Sequence, residues 1–247
     1  MDRDIRKASI DAITKVNEAS YKEYNDPEIL SRISQYEMAY KMQMSVPEVM
    51  DISDEPAYIH EMYGSTPGKP SFANNVLLAR KLVEKGVRFV QLFDWGWDVH
   101  GTAAELSIDI GLVNKCRQTD RSVTAFLLDL KQRGLLEETL VVWGGEFGRT
   151  PMSENREGKQ NPFKGRDHHT EAFTIWMAGG GIKKGFTHGE TDDIGYSAIS
   201  GKVTPFDIQA TILNQLGFDH EKFTYQFQGR PFRLTDVHGK VIQEIIA

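Results

Sequence analysis

The chain has 247 residues, 40% of them apolar, which suits one α/β domain with or without a helical appendage and excludes a mostly disordered chain. A net charge of −6, from 29 basic against 35 acidic side chains, argues against a broad nucleic-acid footprint. The single cysteine, Cys116, makes neither an internal disulfide nor a cysteine-based zinc site; no run of about 18 apolar residues spans a membrane, and the N-terminus lacks the apolar core of a secretory signal, so the expectation is a soluble globular protein.

The first 57 residues read as a helical N-terminal segment and 58–247 as an α/β domain. Ile5, Ile10, Ile13 and Val16 fall at helical spacing, and Asp26-Pro27 signals the start of a second helix. Ser45 to Pro70 holds four prolines and reads as a connecting segment with at most short helices. A helix over Asn74–Lys85 ends at Gly86, and Arg88–Trp95 (RFVQLFDW) reads as a strand. A long, broken helix follows over 103–133, with Cys116 on its apolar side, then a strand over Thr139–Trp143. Gly144 to Thr170 is a long polar loop, Ala172–Ala178 a strand, Pro205–Leu216 a helix, and a last helix begins near Val241. Helices alternating with short apolar strands predict a three-layer αβα fold on a mostly parallel sheet, with ligands beyond the carboxyl ends of the strands.

Three clusters of chemistry-bearing residues stand at those strand ends. In Gly96-Trp97-Asp98-Val99-His100-Gly101, Asp98 and His100 are two apart, so in extended backbone they share a side and offer a carboxylate and an imidazole to a divalent ion. The alternative is a turn aspartate and a surface histidine. In Gly144-Gly145-Glu146-Phe147-Gly148-Arg149, Glu146 is a metal ligand, a general base or a capping acid, and Arg149 suits an anionic group. Gly165-Arg166-Asp167-His168-His169-Thr170 is the densest cluster, in which a loop can turn His168 and His169 towards one ion, Arg166 is a second anion-binding candidate and Asp167 orients a ligating histidine from behind. Convergence of Asp98, His100, Glu146 and one or both of His168 and His169 from separate segments is how metal hydrolase sites are assembled. His188, Asp192 and Asp193 read as a solvated turn, and His60, His220 and His238 receive no role. Gly179-Gly180-Gly181 lacks dinucleotide spacing, and neither a P-loop nor a G-x-S-x-G elbow is present.

Taken together, the phrases LLARKLVEKGVRFVQL, GWDVHG, LLDLKQRGLLEETLVVWGGEFGRTP, GRDHHT, MAGGGIKKG, GETDDIGY and DIQATILNQLG, from about Tyr58 to Ile245, resemble the DUF1501 family. That family looks like a divergent branch of the alkaline phosphatase and sulfatase superfamily, which implies an alkaline-phosphatase-like fold, of which this chain would carry the C-terminal portion. The resemblance implies metal ligands at Asp98, His100, Glu146 and His169, with Phe147 standing where the superfamily has a histidine and His168 compensating. It further implies zinc, with manganese second, a small anionic ester or glycan as substrate, and export to the periplasm. The superfamily's first strand and its nucleophile are not matched, so no nucleophile is named, and an unpaired sheet edge would favour self-association into a homo-oligomer.

The resulting expectation is a metal-dependent hydrolase of phosphate or sulfate esters, with the metal polarising the ester and Arg149 or Arg166 holding the anion. The alternative is a non-catalytic relative that binds a metal or an anionic glycan.

Overall fold

A computed structural model describes residues 3–145, 147–156 and 158–247. The chain divides into two compact units, Met1–Ala57 and Tyr58–Ala247. The first is a pair of mutually packed helices, α1 (Arg3–Tyr24) and α2 (Pro27–Met50). Asn25 turns the chain with a left-handed φ of 51°, and the Asp26 carboxylate accepts from the backbone N–H of Glu28 at 2.9 Å to cap α2. The connecting segment expected from Ser45 begins later, because α2 continues through Pro47 to Met50.

Helices supply the core of the second unit. Ile59 and Tyr63 of α3 (Ala57–Tyr63), Val76, Leu77 and Ala79 of α4 (Phe72–Glu84), and Ala125 and Leu130 of α5 (Val113–Gln132) are buried, and α4 packs on α5. Ser71 caps α4 by accepting from Asn74 N–H. The break expected in the long helix is a 3-10 turn at Ala104–Leu106 and a π turn at Ile108–Leu112, between which the buried Ser107 hydroxyl accepts from the N–H groups of Ile110 and Gly111. Within this core Arg80 is 1% exposed. Its Nε lies 3.0 Å from Asp129 Oδ2, which also accepts from the Tyr63 hydroxyl at 2.9 Å, while Asp129 Oδ1 accepts from Arg133 Nε at 2.7 Å. Glu84 closes the network against both arginines. Burial, reinforced by the Asp129 carboxylate, pushes the Tyr63 phenol far above its ordinary value.

The strands are short. In chain order they are β1 (Val141–Trp143), β2 (Gly148–Arg149), β3 (Asn155–Arg156), β4 (Lys159–Gln160), β5 (His168–His169), β6 (Trp176–Ala178), β7 (Glu190–Thr191), β8 (Ala198–Ser200), β9 (Thr224–Phe227) and β10 (Arg230–Arg233). Among the described residues they form five two-stranded antiparallel sheets, pairing β1 with β6, β2 with β5, β3 with β4, β7 with β8 and β9 with β10.

This overturns the three-layer αβα, alkaline-phosphatase-like fold with a mostly parallel sheet. Two parallel strands need a crossover, usually a helix, to bring the chain back to its starting end. The stretch between Trp143 and Trp176 contains no helix among its described residues, only short strands and turns. The chain therefore returns antiparallel, with Val141 opposite Ala178 and Trp143 opposite Trp176. Nor does Arg88–Trp95 form a strand: among the described residues its backbone pairs with no other segment, and Phe89, Phe93 and Trp95 face solvent. Cys116, expected in the core, is exposed. It lines an open cleft of about 310 Å³ with Trp97 and with Trp143 and Trp176 of the β1–β6 pair.

α6 (Pro205–Gln215) is fastened at both its cap and its middle. Thr204 and Asp207 make a reciprocal capping box, and the Asp207 carboxylate also accepts from Lys240 N–H at 2.7 Å. The buried Thr211 hydroxyl accepts from Ile242 N–H at 3.0 Å, which ties the C-terminal segment along the helix. The last helix expected near Val241 is a single 3-10 turn, Gln243–Ile245.

Candidate metal centre

The site is built where three loop segments cross. The first runs through Asp98-Val99-His100-Gly101, the second through Arg149 to Glu154, and the third through Gly165 to His169. Backbone hydrogen bonds lace them together: Arg166 N–H to Val99 O and Phe163 N–H to Gly101 O, both at 3.1 Å, Thr150 N–H to Asp167 O at 3.0 Å, and Glu154 N–H to Gly165 O at 2.9 Å. The Asn161 side-chain amide adds a bond to His100 O at 2.7 Å. Two glycines permit this approach. A Cβ on Gly165 would lie 1.9 Å from the His100 carbonyl, and one on Gly101, at a φ of 78°, would lie 2.4 Å from Phe163 O.

Register then decides which side chains meet. In the β2–β5 ladder Arg149 stands opposite His168, so the two share a face, while His169 stands opposite Gly148 and faces the other way. Asp98 Oδ1 lies 2.9 Å from His100 Nε2 and 3.4 Å from His168 Nε2, and the two Nε2 atoms are 3.2 Å apart. Three ligands on one face of a tetrahedral zinc ion sit roughly 3.3 Å from one another, given bonds of about 2.0–2.1 Å. The triangle has that size.

Behind His100 stands Glu154, whose Oε2 is 2.5 Å from His100 Nδ1. An ionised carboxylate only accepts, so Nδ1 carries the proton and donates, which leaves the Nε2 lone pair facing Asp98 and His168. A carboxylate placed in this way would orient His100 as a metal ligand through its second nitrogen. Asp167 also lies close to the His100–Glu154 pair, and its Oδ1 accepts from His168 N–H at 2.8 Å. The Phe147 ring meets the His168 ring edge-on at 5.2 Å.

Positive charge comes from Arg149. Its Nη2 donates to Asp98 Oδ1 at 2.8 Å and to Trp97 O at 3.3 Å, and its Nη1 donates to Arg166 O at 3.1 Å. The hydrogen bond from Arg149 holds the Asp98 carboxyl below the usual carboxylate range; slight burial opposes this, and His100 and His168 add to it. Arg166 contributes its backbone to the crossing, and its exposed side chain makes no ion pair among the described residues.

The sequence-predicted residues thus separate. Asp98, His100, His168 and Arg149 come together, with Asp167 beside them. His169 does not join them: it is buried, its Nε2 lies 2.5 Å from Tyr196 O, and its ring is 4.4 Å from that of Tyr196. The turn that presents Tyr196 is held by Asp192, whose carboxylate accepts from Tyr196 and Ser197 N–H at 2.7 and 3.0 Å. Glu146 lies outside the described residues. Glu154 was missed by sequence reasoning: it stands in no motif, 54 positions from His100, and only the loop crossing brings it there.

A family model, that of the protein of unknown function (DUF1501), matches residues 1–246. The chain belongs to the DUF1501 family. The match takes in the N-terminal helical unit as well as the segments of the metal centre. No curated protein and no solved structure matches the chain.

Proposed function

We propose that this DUF1501 protein is a metal-dependent hydrolase of phosphate or sulfate esters that works with one divalent ion, zinc before manganese. The reading is carried by the triangle of Asp98 Oδ1, His100 Nε2 and His168 Nε2, with separations of 2.9–3.4 Å, backed by Glu154 on His100 Nδ1. Three atoms that each present a lone pair repel one another at that distance unless a cation or a proton lies between them. Zinc takes three protein ligands in hydrolytic sites and leaves a fourth position open to water or substrate. Held by Asp98, His100 and His168, an ion would supply Lewis-acid polarisation of the ester and activation of water.

The chain's own residues would do the rest. Glu154 fixes the tautomer of His100. Arg149, which donates to Asp98 Oδ1 at 2.8 Å, and the exposed Arg166 would hold the substrate's anionic oxygens. A non-catalytic reading, binding of a metal and an anionic glycan without turnover, is favoured by one observation: Asp98 is already charge-paired with Arg149 at 2.8 Å.

The test is elemental analysis of the full chain after zinc or manganese loading, with aryl phosphate and aryl sulfate turnover measured on the same samples. One ion per chain, lost in His168→Ala and Asp98→Ala, together with turnover lost in both, is expected. Metal without turnover would select the non-catalytic reading, and no metal in the wild-type chain would overturn both.

A further inference from the structure

The segment after α4 has the composition of a strand and the surroundings of none. From Phe89 to His100 the chain runs without helix, turn or bend, and among the described residues no backbone hydrogen bond is made between Phe89 and Gly96. Phe89, Phe93 and Trp95 are 65%, 76% and 89% exposed. In extended backbone these three share one side with Gln91. Exposed strand edges are ordinarily blunted by proline, bulges or inward charges, and between Arg88 and Asp94 there is neither a proline nor a charged residue.

We propose that Arg88–Asp94 is a self-pairing edge through which two copies of the chain join as an antiparallel dimer about a two-fold axis at Gln91. Charge complementarity selects this partner and this register. With Gln91 facing its own copy, Arg88 of each chain faces Asp94 of the other, Phe89 faces Phe93, and Val90 faces Leu92. Moving the axis to Leu92 sets Asp94 against Val90 and Arg88 against Gly96, leaving Arg88 without a counterpart. Arg88 is exposed and makes no ion pair among the described residues. Asp94 already accepts from Lys115 Nζ and Trp97 Nε1, both at 2.9 Å, which holds its carboxylate in place for a second cation. The three exposed aromatics offer on the order of 400 Å² per copy. That is about half of the roughly 800 Å² per partner of a standard interface. Val90, Leu92 and the paired backbone of the segment supply further area, and the backbone pairing satisfies donors and acceptors that otherwise rely on water.

The test combines mass and register on the full chain. Light scattering after size exclusion at tens of micromolar is expected to give a dimer, and Phe93→Lys a monomer with an unchanged circular dichroism spectrum. Arg88→Glu, which sets like charges opposite each other at both ends, is expected to raise the dissociation constant at least tenfold. In a Cys116→Ser background, Gln91→Cys is expected to form an interchain disulfide on mild oxidation much faster than Leu92→Cys, because only position 91 faces itself. A monomeric wild-type chain, an open-ended oligomer, a dimer that survives both Phe93→Lys and Arg88→Glu, or faster cross-linking at position 92 would each overturn the proposal.

Discussion

A histidine that ligates a metal is only as well placed as its second ring nitrogen, and here that nitrogen is held by Glu154 rather than by a residue of the motif around it. Replacing Glu154 with Gln keeps the volume and removes the charge. The expected outcome is a 10–100-fold weaker zinc affinity at unchanged stoichiometry, measured by competition with a chromogenic chelator. Arg149 acts in the opposite sense on the metal, because it occupies Asp98 through a 2.8 Å hydrogen bond. Arg149→Met is therefore expected to tighten zinc binding severalfold while weakening sulfate or phosphate binding, both readable by calorimetry. A parallel loss of metal and anion would show that Arg149 only holds the loops together.

At the scale of elements, the candidate metal centre depends on a crossing that two glycines allow. Gly165→Ala places a Cβ on the His100 carbonyl, which is backbone and cannot step aside. The segments must then separate, and loss of zinc binding with α-helical content retained is expected, checked by elemental analysis and circular dichroism. α6 gives a pH-dependent prediction. Burial alone would raise the Asp207 carboxyl, but the hydrogen bonds from Thr204 and Lys240 outweigh it and hold the group below its ordinary value. A group whose folded value is lowered stabilises the fold above the unfolded value of about 3.9 and loses that contribution as the pH falls through the folded value. Asp207→Ala is expected to cost about 1–2 kcal/mol at pH 7. The difference in urea midpoint from wild type should shrink as the pH falls below about 3.9 towards the folded value; a difference with no pH dependence in the acid range would assign the cost to packing.

For the whole molecule, the second unit is centred on a polar network inside a helical core. Asp129, 2% exposed, balances Arg80 at 1% and anchors Tyr63. Asp129→Ala leaves a buried guanidinium short of its counter-charge, and breaking a buried pair in this way costs about 3–5 kcal/mol. A fall of roughly 10 °C in melting temperature is expected by calorimetry for a unit of this size. Asp129→Asn, which still accepts from the Tyr63 hydroxyl, should cost less. Equal losses would assign the whole effect to the missing charge opposite Arg80.

Much of the local structure was legible along the chain. The start of α2 at Asp26-Pro27, the stripe of α4 and its end at Gly86, and α6 with its cap all follow from signals within a few residues of one another. So do the residue types of the candidate metal centre, because GWDVHG and GRDHHT carry candidate ligands and close-approach glycines side by side. The tertiary structure alone decided the rest. Sheet direction depends on the path between strands, and the lack of a crossover helix among the described residues of 144–175 made β1 and β6 antiparallel where alternation had implied a parallel sheet. A one-residue step in the β2–β5 ladder sent His168 to the site and His169 to Tyr196. Glu154 reached His100 through a loop crossing that no local pattern encodes. Local propensity is set by neighbours in sequence, whereas register and crossing are set by which distant backbone groups find each other, and that is where this chain's chemistry is assembled.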